Sequence, residues 1–168
     1  MNNLNIVKKP TPNFHHPRRG VVKMIVIHVM DGTLVGTDSW FAQSASEVSA
    51  HYGIGLDGTI HQYVDEGDEA WHCGVVDNPT VALEPHVNPN SYSIGIEHEG
   101  FVGAGRLPRP WSEPLLAASA ALIADIAKRY NIPIDADHVV THHAIYALHN
   151  CPGPDCPLDR LIGMAQAI

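Results

Sequence analysis

Positive charge is scarce in this chain. Ten Lys and Arg stand against eighteen Asp and Glu in 168 residues, for a formal net charge of −8 with His neutral. The cationic residues form no run longer than a pair, as at Arg18-Arg19. That excludes the basic surface by which proteins bind nucleic acid or an anionic membrane. Cysteine is sparse too: Cys73, Cys151 and Cys156 are too few, and odd in number, for a disulfide framework. No apolar run approaches the roughly 20 residues of a membrane span, so no membrane insertion is expected. Met1 to Pro17 is polar and Pro-rich and lacks the apolar centre of a secretory signal. A soluble chain synthesised in the cytoplasm is expected.

What is abundant is histidine, with 12 residues. Its imidazole is the commonest metal ligand and an acid or base near neutral pH. The excess is concentrated in V-V-T-H-H-A-I-Y-A-L-H-N-C-P-G-P, residues 139–154, where three imidazoles and a thiol fall between His142 and Cys151. Cys-Pro-Gly-Pro cannot continue a helix or a central strand, so it is a rigid turn able to aim a thiolate at the preceding strand end. Zn²⁺ takes about four tetrahedral N and S ligands, three of them from protein when the site is catalytic. This stretch can supply two, and a third must come from elsewhere. The alternatives are surface histidines and a Cys151–Cys156 disulfide across a tight loop.

A length of 168 residues suits one domain with a real core, and no repeat or low-complexity segment divides it. Residues 1–21 read as an extended arm laid on that domain, with His15 and His16 solvated or packed in a loop. K-M-I-V-I-H-V-M, residues 23–30, is a near-continuous apolar run and predicts a strand buried on both faces. His28 inside it needs a polar partner, and it is the candidate third ligand. Thr37 to Ser46 predicts a short helix bearing Trp40 and Phe41. Ser49–Leu56 and Thr59–Val64 predict a hairpin about Asp57-Gly58. His51 is a substrate-side or structural residue. Asp65 to Gly74 leaves the sheet, with Trp71 and His72 either in a groove or packed on a sheet edge, and residues 75–91 read as a loop.

Tyr92–Gly100 (Y-S-I-G-I-E-H-E-G) predicts a strand with Gly95, Glu97 and Glu99 on one face. A carboxylate inside a central strand must be paired or protonated, which places Glu97 at the site; Glu99 is expected at an exposed edge. Ser112 should cap the main helix, whose stripe of Leu115, Leu116, Leu122, Ile123, Ile126 and Tyr130 should pack on the sheet until Asn131-Ile132-Pro133 ends it. A short strand over 138–141 leads into the His-rich stretch, and 158–168 forms a terminal helix. The whole predicts a mixed α/β fold, a central mixed β-sheet flanked by helices.

These segments, M-I-V-I-H-V-M-D-G-T, V-S-A-H-Y-G-I-G-L-D-G-T-I-H-Q-Y-V, A-W-H-C-G, S-I-G-I-E-H-E-G and V-V-T-H-H-A-I…H-N-C-P-G-P, resemble the zinc-dependent N-acetylmuramoyl-L-alanine amidases of the Amidase_2 type. That group includes bacteriophage lysozyme-type amidases, bacterial muropeptide amidases and peptidoglycan recognition proteins. The resemblance covers roughly residues 22 to 160, in the family's order. It implies an Amidase_2-like catalytic domain over 22–168 and one Zn²⁺ held by His28, His142 and Cys151. Spacing alone does not choose between His142 and His143; the family pattern picks His142. It implies Glu97 as the acid/base. It places His149 where many relatives carry an oxyanion-stabilising Lys, and an imidazole there is charged only when protonated, so activity should fall at high pH. His51, Tyr52, Trp71 and His72 are the expected groove residues for peptidoglycan or muropeptides.

The expected reaction is hydrolysis of the amide joining the lactyl group of muramic acid to L-alanine. The rivals are a non-catalytic recognition module of the same fold and a zinc hydrolase of another amide. A phage endolysin acting on the wall after release, and a cellular enzyme acting on cytoplasmic muropeptides, are both compatible with the residues.

Overall fold

The computed structural model describes residues 4–103 and 105–168; the first three residues of the expected arm lie outside the described residues. The centre is β3 (Met24–Val29), buried along its whole length. It pairs in parallel with β7 (Ser93–His98) on one side and β8 (Val139–Thr141) on the other. A strand between two parallel neighbours, covered on both faces, tolerates the unbroken M-I-V-I-H-V run that an alternating strand would not. β4 (Tyr52–Ile54) pairs in parallel with β7 and antiparallel with β5 (Ile60–Gln62). The predicted hairpin is present, with Gly58 at φ 87° in the turn. Its strands are shorter than expected.

The arm does more than lie on the domain. Ile6–Lys8 forms β1, parallel to β5, and completes the six-stranded order β1-β5-β4-β7-β3-β8. Farther on, β2 (Phe14–His15) pairs antiparallel with β6 (Glu69–Ala70), so the segment that leaves the main sheet builds a second small ladder with the arm. Arg19 fastens this ladder by four hydrogen bonds of 2.7–3.1 Å to the buried Glu69 carboxylate, one from its amide and three from its guanidinium.

Two layers cover the sheet. On one face, α2 (Glu113–Tyr130) runs from its Ser112 cap, which accepts from the Leu115 amide, to Asn131 in the left-handed conformation. Leu115, Leu122, Ile123 and Ile126 press on Ile25, Ile27, Ile94 and Ile96, all of them fully buried, and α4 (Leu158–Gln166) joins the same core. Burial of each such side chain contributes about 1.5–3 kcal/mol, so this face makes the sheet a stiff platform. The opposite face carries Met24 and Val26 with Cys73, Tyr92, Val140 and Ile145. His28 follows Met24 and Val26 at period two and lies on this second face.

α1 (Leu34–Phe41) starts earlier than the expected Thr37, because the Thr33 hydroxyl accepts from the Gly36 amide and caps it. It ends at Ala42, and a 3-10 turn follows over Ser44–Ser46. The Trp40-Phe41 pair splits: Phe41 is buried and Trp40 is 53% exposed. Glu99 is half-buried rather than an exposed edge, and its carboxylate accepts from the Leu56 amide at 2.9 Å.

Candidate active site

Three segments converge beyond the end of β3. β3 itself delivers His28. β8 runs into a one-turn helix, α3 (His142–Ile145), capped by the Thr141 hydroxyl, and this helix delivers His142. The Cys151-Pro-Gly-Pro turn, with Gly153 at φ 90°, delivers Cys151. The His143 amide donates to the Cys151 carbonyl at 2.7 Å, which ties the turn to the helix start. The Val29 amide points at Cys151 Sγ from 3.4 Å.

One ligand atom from each of His28, His142 and Cys151 falls within 4.8 Å of the others, and all three residues are buried. Cys151 Sγ lies 3.8 Å from His28 Nδ1. Tetrahedral Zn²⁺ with bonds of about 2.0–2.3 Å separates its ligand atoms by about 3.3–3.6 Å, so the donor set fits after a small contraction. The protonation chemistry fits as well. Burial pushes His28 well below its usual range and His142 to about 4, so both imidazoles are neutral, the form that can ligate a metal. His142 Nε2 donates to the Cys73 carbonyl at 3.1 Å, which leaves Nδ1 as its lone pair. Burial raises the Cys151 thiol; a divalent cation among these atoms reverses that, since a coordinating thiol loses its proton.

Glu97 shares the groove. It is the register partner of His28 across the β3–β7 ladder. Its Oε2 is buried without a hydrogen-bond partner among the described residues, and burial pushes the carboxyl up to about 8. An enclosed carboxyl with a free acceptor beside a metal-ligand cluster is suited to move a proton. The groove has a volume of about 240 Å³. His149 is exposed on its rim, stacked on His142 with ring centroids 4.7 Å apart. Trp40, Val48 and Trp71 form an apolar wall, and the Trp71 indole N–H has no partner among the described residues.

The match to known proteins decides what this arrangement belongs to. Residues 18–154 match the family model Amidase_2, described as N-acetylmuramoyl-L-alanine amidase. The chain belongs to the Amidase_2 family. N-acetylmuramoyl-L-alanine amidase A of Achromobacter lyticus is 37% identical over 110 residues, which cover 64% of this chain and 52% of that relative. The chain thus spans about half the length of the curated relative it matches. A crystal structure of an AmpD derivative superposes with a TM-score of 0.75 at 25% identity, over 95% of this chain and 93% of the other. AmiD of E. coli superposes with a TM-score of 0.71 at 26% identity, over 88% of this chain and 59% of the other. That structure holds the substrate anhydro-N-acetylmuramic acid-L-Ala-D-gamma-Glu-L-Lys.

Within this Amidase_2 domain the expected residues divide. His28, His142, Cys151, Glu97, His149, Trp71 and His72 all border the groove. His143 turns outward; its Nδ1 donates to the His149 carbonyl at 3.0 Å and ties down the loop that carries His149. His51 and Tyr52 correct the expectation of groove contacts, since neither lines it. His51 is fully buried: its Nδ1 accepts from the Gly95 amide at 3.0 Å, and burial beside the Arg18 guanidinium lowers it to about 3. Tyr52 is buried with its hydroxyl donating to Glu66 at 2.8 Å. His72 is only 8% exposed and contacts His28, with its Nδ1 3.0 Å from His28 Nε2. The disulfide alternative is closed: Cys73, Cys151 and Cys156 are all free thiols.

Sequence reasoning missed the support beneath His72. A Cβ at Gly95 would lie 2.6 Å from the His72 ring. The glycine in I-G-I-E is the available signal, since a glycine inside a strand marks a close approach. Among the described residues, no helix is long and apolar enough to cross a membrane.

Proposed function

We propose that this chain is a zinc-dependent peptidoglycan hydrolase, cleaving the amide between the lactyl carbonyl of N-acetylmuramic acid and the L-alanine of the stem peptide. The observation that carries this reading is the meeting of an unpartnered, enclosed Glu97 carboxylate with the His28–His142–Cys151 cluster in one groove. Family membership supports the choice of bond, as does the muramoyl peptide bound to AmiD.

His28, His142 and Cys151 would hold one Zn²⁺. The ion would polarise the scissile carbonyl and lower the pKa of water to about 7. Glu97, whose carboxyl borders the groove, takes a proton from the attacking water and passes it to the departing alanine nitrogen. Burial raises the Glu97 carboxyl to about 8, and a divalent cation held by the neighbouring ligands would lower it, so the residue could begin as a base and finish as an acid. His149, held on the rim by its stack on His142, donates an N–H to the oxygen that gains charge at the tetrahedral stage. Trp40, Val48 and Trp71 provide apolar surface for sugar and peptide carbons.

The test is release of a free stem peptide from a muramoyl peptide by zinc-loaded protein, with metal content measured on the same sample. Zinc bound without peptide release would favour a recognition module. Comparing intact sacculi with soluble muropeptides then separates an endolysin-like from a muropeptide-processing role.

A further inference from the structure

A buried chain of hydrogen bonds ends on His28. His28 Nε2 lies 3.0 Å from His72 Nδ1, and His72 Nε2 lies 3.3 Å from Ser93 Oγ. Ser93 Oγ in turn lies 2.7 Å from the carbonyl oxygen of Pro89. The direction of this chain follows from its far end. A carbonyl oxygen only accepts, so the Ser93 hydroxyl directs its single hydrogen to Pro89. Ser93 can then only accept from His72, whose Nε2 must carry the proton. A neutral imidazole has one N–H, so His72 Nδ1 is an acceptor; the Cys73 thiol reaches it at 3.4 Å, and His28 Nε2–H, at 3.0 Å, is the nearer donor. That leaves the lone pair of His28 on Nδ1, the nitrogen 3.8 Å from Cys151 Sγ.

The surroundings keep His72 in place. Its ring occupies the space a Cβ on Gly95 would fill. The amides of His72 and Cys73 both donate to Asn90 Oδ1, at 3.1 and 2.8 Å. Ser93 is fully buried, so water does not compete for its hydroxyl. The strand that brings Glu97 to the groove therefore also carries, two and four residues earlier, the glycine that makes room for His72 and the serine that sets its tautomer.

We propose that His72, seated on Gly95 and oriented by Ser93, is a positioning residue that holds His28 as its Nε2–H tautomer with Nδ1 turned to the metal. This inference rests on the metal reading given above. A hydrogen bond to the far nitrogen of a ligating imidazole fixes its ring and raises its basicity, and loss of such a partner typically costs 10–100-fold in metal affinity.

Two readouts test it without activity. Long-range ¹⁵N–¹H spectra of metal-free protein report the tautomer of each imidazole, and competition with a chelator reports zinc affinity. The parent should show His28 protonated at Nε2. His72→Phe, which keeps a ring but removes the acceptor, should weaken zinc about 10–100-fold, and His72→Gln, whose side-chain oxygen can accept, should recover much of the loss. If His72→Phe does not fold, Ser93→Ala carries the test and should give His72 as a mixture of tautomers with weaker zinc binding. His28 protonated at Nδ1 in the parent would overturn the proposal, as would parent-like zinc affinity in His72→Phe. So would Ser93→Ala with an unchanged His72 spectrum and zinc affinity. A parent with the expected tautomer that binds no zinc would instead sink the metal reading, and with it the purpose assigned to His72.

Discussion

His28 and Glu97 are register partners on adjacent parallel strands, and both border one groove. A ladder position therefore sets the spacing between the imidazole proposed to face the metal and the carboxyl proposed to carry the proton. Two central strands, backed by fully buried Ile25, Ile27, Ile94 and Ile96, hold that spacing more tightly than loops would.

Glu97→Gln keeps the shape of the side chain and removes its proton chemistry. Peptide release should fall by about 10²–10⁴-fold, the usual contribution of a positioned acid/base, while zinc content stays near that of the parent. Loss of zinc together with activity would show that Glu97 supports the metal site instead of moving a proton.

Replacement of Cys151 by Ser should cost zinc. A hydroxyl is a poor ligand at neutral pH, and the Val29 amide that now faces Sγ offers no substitute donor of lone pairs. Zinc content after dialysis against a weak chelator should drop well below one equivalent, with little change in far-UV circular dichroism. Full retention of zinc would remove Cys151 from the ligand set.

His149→Ala removes a rim imidazole whose stack on His142 leaves it facing the groove. kcat should fall by about tenfold or more, and KM should change less, because an oxyanion donor acts at the transition state. An unchanged kcat would end that role.

The metal-free protein should show a stability maximum on the acid side of neutrality. Three buried imidazoles, His51 at about 3 and His98 and His142 at about 4, lie below their ordinary range because burial disfavours their charge. Unfolding lets them protonate, so they cost stability below about pH 6.5, and stability rises as pH climbs from about 4 to that value. Glu97, raised to about 8, works the other way. Its contribution is full below the ordinary carboxyl range and is lost as pH rises through 8. Above about pH 6.5 only the Glu97 contribution still changes among these groups, so thermal midpoints should decline between roughly pH 6.5 and 8. Glu97→Gln should flatten that decline; an equal decline in the variant would locate its cause elsewhere.

The parts of the fold that can be read from the chain are those whose cause is local. The apolar run of β3, the Ser112 cap and Asn131 stop of α2, and the Asp57-Gly58 turn each carry their signal within a few residues. β1 does not. Ile6–Lys8 has three residues and an exposed edge, and its partner β5 lies far along the chain, so only tertiary pairing makes it a strand. α1 was displaced in the sequence reading because Thr33, Thr37 and Asp38 are all competent caps, and only the fold selects Thr33. At the site, the ligand-type residues and Glu97 stand out because buried polar groups in apolar strands demand a purpose. His51, Tyr52 and His72 were all expected to face substrate. Sequence shows that a histidine is near a site but not which side of the sheet residue in front of it faces. His51 instead braces Gly95 and Tyr52 reaches Glu66, whereas His72 borders the groove and also backs His28.

The most direct test is a zinc titration of metal-free protein in which bound metal and release of stem peptide from a muramoyl peptide are read on the same samples. Activity should be absent at the start and climb in proportion to bound zinc, reaching its plateau at one ion per chain. Peptide release that is undiminished in the metal-free sample, or a protein that takes up no zinc, would contradict a catalytic centre built on His28, His142 and Cys151.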